Sequence, residues 1–280
     1  MKLTNSNDKM YGFRFFKTVL GLLFKLYYNP KTIGAENIPE NGSILVVGNH
    51  VHIMDQCLPI LATKRPVHYM AKREYFDNKK VAWFFKLAGC IPVDRSVKDN
   101  NATEKALEVL NGNMALGLFP EGTRNGLKKE KIASLYEICK NGNEDFELFT
   151  KKIKKQKASF IYYLEELVSN KIIKKKDMIN NITRANDYLL ELVDNKVITR
   201  KDYEEHLLLP FKFGAVSLAK KTDSYLVPFA ITGKYKFRSK DLTVRIGKPF
   251  KVTGDLESAN KKLAREVVEL MKESIKNSGK

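Results

Sequence analysis

Val46 to Gln56 reads VVGNHVHIMDQ. An apolar run closes at Gly48, His50 follows Asn49, and Asp55 comes five residues after His50, with a second histidine, His52, between them. The apolar half reads as a strand that runs out here, and Gln56 to Thr63 reads as a helix. If the chain turns from strand into helix at Asn49, the carboxylate of Asp55 sits on the first turns and can fold back to the imidazole of His50. A carboxylate that accepts a hydrogen bond from one ring nitrogen fixes the tautomer and leaves the other nitrogen as a base. His52 is the rival base; in a helix it would point away from His50.

Working outward, short apolar runs alternate with helical stretches. Strands are expected at 43–47, 67–70, 90–93, 114–119, 226–232 and 243–246, and helices at 56–63, 81–88, 102–111, 212–221 and 260–275. This alternation predicts an α/β fold, with a central, mostly parallel sheet flanked by helices. In such sheets ligands gather at the carboxyl ends of strands, and both His50 and Glu121 fall just past an expected strand end.

The block 126–206 breaks the alternation. It is lysine-rich, offers no strand, and contains a duplication: YYLEELVSNKIIKKKDM (162–178) pairs with DYLLELVDNKVITRKDY (187–203) at an offset of 25 residues. Each copy reads as a helix, a turn at Asn-Lys and the start of a second helix, so the block is expected to be a helical insertion subdomain. Its basic runs, 151–157 and 171–176, read either as a solvated face or as an anion contact.

The formal charge of +18 calls for anionic partners: nucleic acid, an anionic membrane or phosphorylated substrates. The three cysteines, Cys57, Cys90 and Cys139, are far apart, form no CxxC pair and indicate neither a zinc site nor a disulfide framework. A reducing, cytoplasmic setting is the default. The polar first ten residues and the charged stretch after them do not read as a signal peptide. That stretch, 11–28, places Arg14, Lys17 and Lys25 on one arc and phenylalanines, leucines and tyrosines around the rest. Three cations argue against a membrane span. The remaining readings are a helix in the membrane interface, with cations toward headgroups, and a helix packed on the protein's own core.

Three more stretches carry chemistry. GLFPEGTRN (117–125) ends a strand and turns through Glu-Gly-Thr-Arg, where Gly122 lets backbone approach a ligand and Arg124 offers a planar fork suited to phosphate. GCIPVDRS (89–96) puts Arg95 past another short strand. YLVPFAITG (225–233) is a strand interrupted by Pro228, which suits a strand start, an edge or a bulge.

NHVHIMD, GCIPVDR, FPEGTRN and LVPFAI, in that order, resemble the signature of the PlsC-like glycerolipid acyltransferases, the 1-acylglycerol-3-phosphate acyltransferase family. The resemblance covers roughly 32–246 without the insertion. It implies that an acyl group passes from acyl-CoA or acyl-carrier protein to the sn-2 hydroxyl of 1-acylglycerol-3-phosphate, giving phosphatidic acid. His50 would be the general base and Asp55 its orienting carboxylate. Lys72, Arg95, Glu121, Gly122, Thr123 and Arg124 would bind the acceptor, with Arg124 on its phosphate. No metal or cofactor is implied, and the donor is a substrate. A lysophospholipid and anionic membrane lipids are the expected partners, acyl-carrier protein is a candidate, and nucleic acid is not expected. The implied location is the cytoplasm, peripherally on the inner face of the cell membrane. Within the family, another lysophospholipid or glycerol 3-phosphate are alternative acceptors; outside it, the alternative is a non-catalytic basic scaffold that binds anionic membrane or nucleic acid through the insertion.

The expected organisation is an interface helix at 1–30, an acyltransferase domain at 31–125 and 207–280, and the insertion at 126–206. The insertion is a departure from the family pattern. LLLPFKFGA (207–215), expected within a few tens of residues of FPEGTR, arrives only after it.

Overall fold

The apolar runs around VVGNH become the centre of a seven-stranded sheet. In the computed structural model, which describes residues 10–94, 97, 99–139 and 145–278, the strands are β1 (Lys31–Ile33), β2 (Ile44–Gly48), β3 (Val67–Lys72), β4 (Ile91–Val93), β5 (Ala115–Leu118), β6 (Tyr225–Thr232) and β7 (Thr243–Ile246). Their order is β1-β7-β6-β2-β5-β3-β4. β2 to β6 run parallel, β7 runs antiparallel to β6, and β1 runs parallel to β7. The carboxyl ends of β2, β3, β4, β5 and β6 therefore share one edge, as the crossover rule for ligand sites requires. Every residue of β2 is buried, which accounts for a continuous apolar run instead of an alternating one.

The first helices are α1 (Tyr11–Tyr28), α2 (Cys57–Ala62), α3 (Glu74–Asp77), α4 (Ala82–Leu87) and α5 (Asn100–Asn111). The strand period of two sends Ile44, Val46, Val227, Phe229 and Ile231 to one face, where they meet Leu58, Phe24 and the strands' neighbours. The other face of the sheet is covered by α5 and by two later helices.

The chain forms two compact units, Met1–Gly122 with Phe211–Lys280, and Thr123–Pro210. The second is helical: α6 (Lys129–Cys139), α7 (Phe146–Ile153), α8 (Ala158–Ser169), α9 (Lys175–Asn181), α10 (Ala185–Asp194) and α11 (Arg200–Glu205). The sequence duplication is a backbone duplication. After α8, Lys171 is left-handed at φ 59°, and after α10 its counterpart Lys196 has φ 59° as well. The same bonds close both turns: Lys171 N–H donates to Val168 O and Ile172 N–H to Leu167 O, while Lys196 donates to Val193 O and Val197 to Leu192 O. The paired positions Leu164 and Leu189, Leu167 and Leu192, and Ile173 and Ile198 are all buried. α8 packs on α10, so each copy covers the apolar stripe of the other.

The chain then re-enters the first unit with α12 (Gly214–Lys221), β6, β7 and α13 (Leu256–Ser278). α12 lies on β2 and β6, and α13 on β6 and β7.

Three elements depart from the sequence reading. β1 is exposed at all three positions and carries no apolar period to betray it. α3 is a single turn. Pro228 sits inside a central strand, which prolines normally avoid. Its carbonyl accepts from Gly247 N–H, one residue past the end of β7, so its missing N–H falls where β7 has already ended.

Helix α1 packs one side on the protein and leaves the other exposed. Phe13, Gly21 and Phe24 are buried, with Gly21 set against Leu61 of α2. Phe15, Leu22, Leu23, Leu26 and Tyr27 remain exposed. Helical spacing sets Arg14, Lys17 and Lys25 on one arc as expected, but Lys17 turns inward and donates to the carbonyl of Thr63. Burial, aided by Lys25 and Arg14, holds its ammonium below the usual lysine range. Among the described residues no helix is long and apolar enough to cross a membrane.

Candidate active site

The turn after β2 is tied to the sheet before it carries any chemistry. Asn49 is buried, and its side-chain amide donates to Ile231 O at 2.9 Å and accepts from Ile231 N–H at 2.7 Å. One asparagine thereby continues the β2–β6 ladder one step beyond the strand. Two hydrogen bonds of about 1 kcal/mol each fix the starting point of His50.

The imidazole of His50 stacks on Phe119 at 4.2 Å between ring centres, and its Nδ1 lies 2.8 Å from Oδ2 of Asp55. Asp55 is fully buried, yet every side of its carboxylate is met. Oδ2 also accepts from the backbone N–H of Val51 at 2.6 Å and of His52 at 2.7 Å. Oδ1 accepts from the hydroxyl of Tyr235 at 2.6 Å. A buried carboxylate is tolerated when so many donors replace its water. The contact with Asp55 occupies Nδ1 and leaves Nε2 as the nitrogen able to take a proton. His52 does not compete: its backbone serves Asp55, while its ring stacks on Tyr235 at 4.1 Å.

Glu121 reaches the same place from the end of β5. It is buried, and its Oε1 accepts from the backbone N–H of His50 at 2.6 Å. The turn that carries it requires Gly122, which is left-handed at φ 70° and lies against the side chain of Lys212. Lys212 N–H in turn donates to Pro120 O at 2.9 Å. We expect Glu121→Ala to cut kcat by about 10- to 100-fold, because His50 loses the acceptor that holds its backbone. Steady-state rates on the purified variant check this, and a rate within twofold of wild type would contradict it.

The strand edge also receives Lys72, exposed at the end of β3. Arg95 lies outside the described residues. Thr123 and Arg124 begin the second compact unit, and both are exposed. The nearby thiols are held protonated: burial, then the charge of Asp55, pushes Cys57 up to about 12, and burial pushes Cys90 up to about 11. That argues against an acyl-cysteine intermediate at either position.

Sequence reading overlooked Asn49, Lys212 and Tyr235. Asn49 and Lys212 stood inside quoted motifs, where side-chain function could be asked but not seen. Tyr235 lies outside every motif, 180 positions from its partner Asp55.

Known proteins resemble this chain in both sequence and fold. Over 113 residues it is 28% identical to the 1-acyl-sn-glycerol-3-phosphate acyltransferase of Bacillus subtilis, covering 40% of this chain and 57% of that protein. Over 94 residues it is 35% identical to the enzyme of the same name from Borreliella burgdorferi, covering 33% of this chain and 38% of that one. The Streptococcus pneumoniae enzyme of that name is 28% identical over 127 residues, 44% of this chain and 48% of its own. The chain thus spans about half the length of the curated relatives it matches. The crystal structure of the 1-acyl-sn-glycerophosphate acyltransferase PlsC from Thermotoga maritima shares its fold, with a TM-score of 0.52 at 18% identity over 94% of this chain and 81% of the other. The family model described as Acyltransferase matches residues 29–232, across both the β2 turn and the FPEG turn. The chain belongs to the acyltransferase family.

Proposed function

We propose that the protein transfers a fatty acyl group from acyl-CoA or acyl-carrier protein to the sn-2 hydroxyl of 1-acylglycerol-3-phosphate, giving phosphatidic acid. The observation that carries this reading is the hydrogen bond between His50 Nδ1 and Asp55, at the strand edge where Glu121 also arrives. In this mechanism Nε2 of His50 takes the hydroxyl proton as the acceptor oxygen attacks the thioester carbonyl. The tetrahedral intermediate collapses, the carbon–sulfur bond breaks, and the imidazolium returns its proton to the leaving thiolate. Asp55 stabilises the imidazolium while remaining ionised. Lys72, at the same edge, supplies a cation for the acceptor phosphate. Arg95, Thr123 and Arg124 are read as acceptor contacts on their motifs alone.

Mass analysis of lipid products after incubation with lysophosphatidate, other lysophospholipids and glycerol 3-phosphate tests the acceptor. Phosphatidic acid from lysophosphatidate is the expected product, and turnover of another acceptor alone would reassign the substrate. The basic-scaffold alternative loses its support in the charge count. Residues 123–210 hold 18 of the 50 lysines and arginines and 14 of the 32 acids, so most of the excess lies outside the insertion. We read 126–206 as a subdomain inserted into the acyltransferase domain.

Peripheral attachment to an anionic membrane follows from the same reading. Phe15, Leu22, Leu23, Leu26 and Tyr27 on α1 are exposed, and Trp83 on α4, also exposed, lies 5.9 Å from the ring of Phe16. An apolar face beside so basic a body suits a bilayer surface carrying negative headgroups. A Leu23→Glu, Leu26→Glu double variant is expected to bind phosphatidylglycerol-containing vesicles at least about tenfold more weakly, since two leucines lose their burial in lipid. Co-sedimentation reads the effect, and unchanged binding would remove α1 from the membrane contact.

A further inference from the structure

The loop between β6 and β7 is fastened to the end of α1. Arg238 N–H donates to Tyr27 O at 2.7 Å and Ser239 N–H to Tyr28 O at 3.0 Å, while Phe237 packs on Tyr27 at 5.3 Å between ring centres. From this loop Tyr235 reaches inward between Tyr28, at 5.5 Å and nearly perpendicular, and His52, stacked at 4.1 Å. Its hydroxyl ends 2.6 Å from Oδ1 of Asp55, the carboxylate oxygen that His50 does not use. We infer that Tyr235 is a positioning residue for acyl transfer, its hydroxyl holding the carboxylate of Asp55 and, through it, the imidazole of His50. This rests on the reading of His50 as the general base.

A carboxylate with three donors on Oδ2 and none on Oδ1 could still rotate about its bond to Cβ. The Tyr235 hydroxyl removes that freedom. It also draws negative charge away from Oδ2, which tunes how strongly Asp55 stabilises the imidazolium. Burial, followed by the charge of Asp55, keeps the phenol protonated and so a donor throughout the working range. The other titratable groups around this relay are Glu121 on the backbone of His50, His52 on the ring of Tyr235, and Cys57, Tyr69 and Tyr28 beside it. Cys57 and Tyr69 are both shifted up and stay neutral, so neither substitutes for the hydroxyl.

Tyr235→Phe keeps the ring between Tyr28 and His52 and deletes only the donor. With the full chain, we expect kcat to fall about tenfold with KM little changed, the loss of one hydrogen bond to a charged group. Without the hydroxyl, negative charge concentrates on the carboxylate of Asp55 while its orientation loosens, so the rate falls through lost positioning even though the charge facing the imidazole grows. The acid limb of the pH–rate profile, and the His50 ring signal followed by NMR, should move to higher pH than in wild type. Replacing Tyr235 with 3-fluorotyrosine, a stronger donor of nearly the same shape, should move both down, and this second variant keeps the test open if the phenylalanine protein does not fold. A wild-type rate and titration in Tyr235→Phe would overturn the inference. So would a lower thermal midpoint with no movement of the titration, which would make Tyr235 a packing residue only. His50→Ala, assayed alongside, separates the two ideas. If it remains active the base assignment fails, while the NMR titration, which needs no turnover, still decides whether Tyr235 governs His50.

Discussion

His50→Ala is expected to lower kcat by about a thousandfold and to leave the fold intact. The imidazole is part-exposed at the strand edge, stacked on Phe119, and its loss opens no deep cavity. The turn itself is held by Asn49 and by the backbone bond to Glu121, neither of which involves the ring. General-base catalysis contributes about 100- to 10,000-fold, and the remaining rate over water comes from holding thioester and hydroxyl together. Initial rates on purified protein, with circular dichroism to confirm the fold, read the outcome. Activity within tenfold of wild type would remove His50 from the chemistry.

Asp55→Asn is expected to damage both activity and stability. The carboxylate accepts from His50, Val51 N–H, His52 N–H and Tyr235 at once. An amide offers one acceptor oxygen and no charge: with that oxygen on the Oδ2 side, the NH2 group must donate to the Tyr235 hydroxyl, which accepts only by giving up its own donation, and every remaining bond loses its charge assistance. We expect a loss of about 3 kcal/mol in unfolding free energy, the order found when one member of a buried charged network is removed. The same change removes the negative charge that stabilises the His50 imidazolium in the proposed mechanism, and kcat should fall by about 100- to 10,000-fold. Denaturant unfolding and steady-state kinetics measure the two effects separately. A variant that unfolds like wild type would show that the carboxylate is not the centre of the turn.

The pattern in the sequence carried the sheet because its central strands are buried on both faces and so read as unbroken apolar runs. β2, β5 and β6 could hardly be mistaken. β1 could not be read at all, since its exposed residues owe their strand geometry to backbone pairing with β7. The pairing of His50 with Asp55 was legible because it is local, five residues within one turn. Glu121 as the holder of His50 N–H, and Tyr235 as the holder of Asp55, depend on strands and loops that meet only after the sheet is built. Helix α1 was legible as amphipathic, but the inward turn of Lys17 was not, because the Thr63 carbonyl that attracts it lies 46 positions away.

The amide of Asn49 has a consequence for time as well as place. Because it pairs with both polar groups of Ile231, the turn bearing His50 cannot open without breaking two buried hydrogen bonds to a central strand. Breaking those two bonds adds about 2 kcal/mol to the cost of opening, whereas ordinary surface loops open almost freely. The turn bearing His50 therefore keeps time with the sheet and not with the surface loops: in the proposed mechanism the pair of His50 and Asp55 is already formed when each substrate arrives.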